Sequence, residues 1–102
     1  MTMKKIVLLC VAGMSTSLLV SRMQNAAKET DFPCEIQAYG VAEAPNVIPG
    51  ADVVLLGPQV RYMLSKLKKE YPDKKIEAVD MRIYGMVDGK QALMQARKIM
   101  EC

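Results

Sequence analysis

Apolar residues fall along this chain in two alternating textures, short unbroken runs and stripes spaced by three and four. Ile6-Val7-Leu8-Leu9-Cys10 is an unbroken run of mostly branched residues between Lys5 and Gly13, which predicts a central strand buried on both faces. From Ser15 the stripe Leu18, Leu19, Met23, Ala26 and Ala27 takes over, with Arg22, Gln24, Asn25 and Lys28 between its members, and predicts a helix. Glu35 to Tyr39 alternates weakly after Pro33 and predicts a second, more exposed strand ended by Gly40. Pro45 and Pro49 prevent one long helix over 41–50, so a short helical turn and a loop are expected there. Asp52 to Leu56 repeats the buried run. Gly57-Pro58 then leads into a helix whose stripe is Val60, Met63, Leu64, Leu67 and Tyr71, with Pro58 in its first turn. Pro72 and Asp73 stop that helix, Lys75 to Val79 reads as a fourth short strand, and Asp88 caps a last helix with Ala92, Leu93, Ala96, Ile99 and Met100 as its buried stripe.

Strand and helix by turns predict an α/β fold: a small doubly wound four-stranded parallel sheet with helices on both faces, one domain over 1–102. Ligands of such sheets sit beyond the carboxyl ends of the strands, so the loops after Cys10, Leu56 and Val79 should share one edge. The nine methionines are expected to fill core gaps. No apolar helix face is left over, so a monomer that forms transient complexes is expected.

Composition narrows the function. A chain of 102 residues, 51% hydrophobic and 25% charged, supports one ordinary core, and a net charge of +3 with one Phe and no Trp gives little footing for nucleic acid. Basic residues concentrate at Lys66 to Lys69 and Lys74-Lys75, and the first of these stretches reads as the solvated face of its helix. With no His, imidazole triads are excluded, and neither a metal site nor a cofactor is expected. Three cysteines without a CxxC pair fit a reducing compartment, and only five apolar residues follow Lys5, too few for a signal peptide. A cytoplasmic location is therefore expected.

The chemistry concentrates in Cys10-Val11-Ala12-Gly13-Met14-Ser15-Thr16-Ser17. Small residues at a strand-to-helix junction let successive backbone N–H groups converge on one point, while a helix N-terminus and three hydroxyls add donors, the makings of an anion cradle. A thiol at its mouth is expected to ionise more readily and to act as a nucleophile beside a phosphate site. The plain alternative is that Cys10 is the last apolar residue of a core strand. The segment lacks the lysine of a Walker loop and the GxGxxG of a dinucleotide fingerprint. Its spacing resembles the loop of low-molecular-weight tyrosine phosphatases, with Thr16 where that family has an arginine. Without a guanidinium to clamp the phosphoryl oxygens, hydrolysis of a phosphorylated Cys10 is expected to be slow, a property a carrier needs.

Three blocks, Cys10 to Leu19, Ala51 to Val60, and Tyr84-Gly85 with Asp88-Gly89, resemble the IIB component of the lactose, cellobiose and chitobiose class of the bacterial phosphoenolpyruvate-dependent sugar phosphotransferase system. The resemblance runs nearly end to end and implies the low-molecular-weight tyrosine phosphatase type of fold. It implies that Cys10 accepts phosphate from a phosphohistidine on a IIA partner and passes it to a β-linked disaccharide held by a membrane-embedded IIC partner. Val11 to Ser17 would contact the phosphate, with Val11 departing from the small polar residue expected there. Met14 and Leu18 would form an apolar docking rim. Asp80 and Tyr84 are accessory candidates that read equally well as a cap and a packing residue, and Cys34 and Cys102 read as a strand-start core residue and a frayed terminus. A cysteine-dependent phosphatase and a non-catalytic domain that binds an anion or a partner are the alternatives.

Overall fold

The structure, a computed structural model, describes residues 3–11 and 17–101. Four parallel strands, β1 (Lys4–Cys10), β2 (Cys34–Gly40), β3 (Val53–Leu56) and β4 (Ile76–Ala78), form one sheet in the order β2-β1-β3-β4. The expected doubly wound sheet is thus the one observed. The unbroken apolar runs become its two central strands, because parallel strands covered by helices on both faces have no solvent side to alternate towards. Ile6 to Cys10 and Val53 to Leu56 are all buried.

Strand geometry deals these residues to two cores. Ile6, Leu8, Val53 and Leu55 face α1 (Ser17–Glu29) and α5 (Gly89–Glu101), which bring Leu19, Met23, Ala92, Leu93 and Ala96. Val7, Leu9, Val54 and Leu56 face the other side, covered by α2 (Ala44–Val47), α3 (Leu64–Glu70) and the turns around them, through Ala44, Ile48, Val60 and Leu67. Each fully buried Leu or Ile here contributes about 2–3 kcal/mol relative to exposure. The Asp88 cap is present: its Oδ1 accepts from the Gln91 amide at 3.1 Å, and Ile99 and Met100 pack on the core as partly buried residues.

Several expectations need correction. The helix expected over Val60 to Tyr71 is α only from Leu64; Pro58–Met63 is 3₁₀, with Val60 pulled out of helical geometry at φ −120° and ψ 17°. The Val60 amide closes a tight turn on the Gly57 carbonyl at 3.0 Å while its side chain enters the core. A five-residue helix, α4 (Met81–Gly85), follows β4 where no helix was expected. It joins α5 through Val87 at φ 49°, where Arg22 Nη1 donates to the Val87 carbonyl at 3.2 Å. The methionines are not mainly core filler: Met23 is buried, but Met3, Met81, Met86 and Met94 are exposed.

Candidate functional site

β1 and β3 are neighbours, yet the chain leaves β1 towards β2 and leaves β3 towards β4. The carboxyl ends of β1 and β3 therefore flank the switch point of the sheet, the place where ligands of doubly wound folds bind. Cys10 is the last residue of β1 and stands at that point, fully buried. Two glycines flank it. Gly40 is its register partner on β2, and on the other side the Gly57 amide donates to the Leu9 carbonyl at 2.8 Å. A Cβ on Gly57 would lie 3.7 Å from Cys10 Cβ and 3.1 Å from Gln59 Oε1, so the Gln59 side chain folds back over the same turn. Neither Cys10 nor Cys34 is in a disulfide.

Val11 follows Cys10 and is 66% exposed, and Ser17 and Leu18 open α1, with Leu18 54% exposed. Of the proposed phosphate loop, Ala12, Gly13, Met14, Ser15 and Thr16 lie outside the described residues, as does Cys102. α1 packs against β2 and α5, and its first residue, Ser17, follows the end of β1 at Cys10 by seven positions.

Asp80 caps α4, its Oδ1 accepting from the amides of Arg82 at 2.9 Å and Ile83 at 3.1 Å. Gln95 of α5 locks the same corner by donating to the Ala78 carbonyl and accepting from the Asp80 amide. Tyr84 packs partly buried on the α1/α5 core. Cys34 likewise packs on that core; burial pushes its thiol pKa up, partly opposed by the positive charge of Arg97, whose guanidinium stacks 4.3 Å over Phe32.

Two residues absent from the sequence reading also belong to this edge. Arg61 and Arg82 line an open groove of about 570 Å³ with Ala78, Val79, Asp80 and Met81. Because the Val79 amide donates to the Leu56 carbonyl, this groove begins one strand beyond Gly57. Among the described residues, no group of three or more His, Cys, Asp or Glu could hold a metal ion. No helix there is long and apolar enough to cross a membrane.

The model of the lactose- and cellobiose-specific IIB subunits of the phosphotransferase system matches residues 5–95. The chain belongs to this family. IIB components are phosphotransferases, and this IIB chain is a sugar-specific phosphoryl carrier of the cellobiose and lactose class. It is similar to the oligo-β-mannoside-specific EIIB component of Bacillus subtilis (strain 168), with 46% identity over 96% of this chain and 97% of the relative. Its fold is close to the solution structure of the cellobiose-specific IIB component of Borrelia burgdorferi, with a TM-score of 0.82 and 33% identity over 98% of this chain and 94% of that one. The low-molecular-weight tyrosine phosphatase type of fold is also shown. YwlE of Bacillus subtilis, in a mutant crystal structure, superposes with a TM-score of 0.59 over 95% of this chain and 93% of its own at 13% identity.

Proposed function

We propose that Cys10 is the residue of this IIB chain that carries the phosphoryl group, receiving it from a phosphohistidine of a IIA protein. The observation that carries the reading is the position of Cys10 at the switch point between β1 and β3, flanked by glycines and followed by the segment that leads into α1. In the first transfer the Cys10 thiolate attacks phosphorus, an S–P bond forms, and the N–P bond breaks with its electron pair returning to the partner's imidazole. In the second, a hydroxyl of a β-linked disaccharide held by a IIC partner attacks phosphorus. The S–P bond breaks, the thiolate is regenerated, and the hydroxyl proton leaves to a base on the acceptor side. Backbone amides and the hydroxyls of Ser15, Thr16 and Ser17 would share the charge of the phosphoryl oxygens, with Val11, Ala12, Gly13 and Met14 completing the loop. Both partners must be released, so the chain acts as a monomer in short-lived complexes at the cytoplasmic side of the membrane.

Burial of Cys10 fits a core residue as well as a guarded nucleophile, and labelling separates them. With labelled phosphoenolpyruvate, the general phosphotransferase proteins and a lactose-class IIA, the wild type should take up label and Cys10→Ser should not. Undiminished labelling of Cys10→Ser would overturn the assignment.

A further inference from the structure

The groove that holds Arg61 and Arg82 has no part in the chemistry at Cys10 as described above, yet it opens on the same edge of the sheet. From Cys10 the edge runs through Gly57, beside β1, to Val79 and Asp80, beside β3. Two strand spacings of roughly 4.8 Å put the groove about 10 Å from Cys10. That is too far for a guanidinium to touch a phosphoryl group on sulfur, and near enough to meet whatever protein surface surrounds that group during transfer. Both arginines are exposed, and neither has an ion-pair partner among the described residues. The one carboxylate in the groove, Asp80, has an oxygen engaged by the amides of α4, so two guanidinium groups face one partly satisfied carboxylate. Met81 at the groove and Tyr62 beside Arg61 are exposed by 62% and 79%, giving the charges an apolar setting suited to burial in a complex.

We propose that Arg61 and Arg82 form the charge-recognition part of the docking surface for the phosphoryl-donor protein, pairing with carboxylates that surround its phosphorylated residue. This rests on the carrier reading of Cys10. Charge decides between the two partners. A donor brings a phosphoryl dianion, which the arginines attract across the edge, and carboxylates around it would add to that attraction. The cytoplasmic loops of a membrane-embedded acceptor carry an excess of Lys and Arg, which the same arginines repel. One groove would thus favour arrival of the phosphorylated donor over premature engagement of the acceptor.

The test is the second-order rate constant of phosphoryl transfer from phosphorylated IIA, measured across ionic strength for the wild type, for Arg61→Gln/Arg82→Gln, and for Lys66→Gln/Lys69→Gln. The last pair removes the same charge from exposed positions on α3. The arginine variant should lose about 10-fold at low salt and show a flatter salt dependence, with the first-order step in the complex unchanged and phosphoryl release to the acceptor not slowed. The lysine variant should stay near wild type. Unchanged rates and salt slope in the arginine variant, an equal loss in the lysine variant, or an equal slowing of transfer to the acceptor would each overturn the proposal. If the wild type itself takes no phosphate on Cys10, the carrier reading fails and the proposal with it, an outcome distinct from those three.

Discussion

The two faces of the sheet are covered in different ways. On one, α1 and α5 are each 13 residues long and pack directly on one another; on the other, 41–50 and 58–70 are chains of 3₁₀ turns and short helices, with Pro45, Pro49 and Pro58 each in the first turn of a piece. Long helices bury a continuous stripe and resist bending, whereas short pieces place individual side chains at chosen points of an edge. The continuous face holds the start of α1, where the proposed phosphate loop ends. The broken face delivers Gly57, Gln59 and Arg61 to the neighbourhood of Cys10.

The largest effect that breaks this contrast is expected at Gly89, the first residue of α5. A Cβ there would lie 2.5 Å from Arg22 Cβ and 2.6 Å from the Met23 amide nitrogen, both on α1, and backbone cannot step aside as a flexible side-chain tip can. Gly89→Ala should therefore cost about 3 kcal/mol or more in denaturant unfolding by forcing the two long helices apart. Stability within 0.5 kcal/mol of wild type, on a scale where surface changes stay roughly within that range, would show that the continuous face yields as easily as the broken one. A smaller loss belongs to Asp80, whose carboxylate caps a five-residue helix. Asp80→Ala should cost about 1 kcal/mol in the same measurement, while Asp80→Asn, which keeps an accepting oxygen, should recover most of it.

The smallest effect is a pH dependence on the continuous face. Burial raises the Cys34 pKa, so the unfolded chain loses this proton first as pH rises. The contribution of Cys34 to stability is thus complete below the ordinary thiol value of 9.0 and is lost as pH climbs through the higher value of the folded state. Between those points the unfolding free energy of the wild type should fall more steeply with pH than that of Cys34→Ala. Parallel slopes would mean that the thiol is as well solvated folded as unfolded.

What could be read from the chain follows from the same contrast. The runs in β1 and β3 were legible because strands buried on both faces need no polar positions, and α5 was legible because Asp88 and a stripe over three turns agree. Repeats of 3.0 and 3.6 residues are indistinguishable over six positions, which hid the 3₁₀ character of Pro58–Met63. Five residues are too few to show any period, so α4 announced itself only through its Asp80 cap. The exposed methionines misled because side-chain chemistry alone does not say whether a position faces the core or solvent. At the site, Cys10 was marked by its neighbours in sequence, an apolar run before it and hydroxyls after it. Arg61 and Arg82 carried no such mark, since they lie on separate segments that only the pairing of β3 with β4 brings to one groove.

The central claim, that the phosphoryl group rests on Cys10, is tested most directly by intact mass and peptide mapping after incubation with phosphorylated IIA and no sugar acceptor. The account predicts a single stable phosphate on the wild type, located on the peptide that contains Cys10. Phosphate found on any other residue, or inorganic phosphate accumulating while the wild type gains no mass, would contradict it.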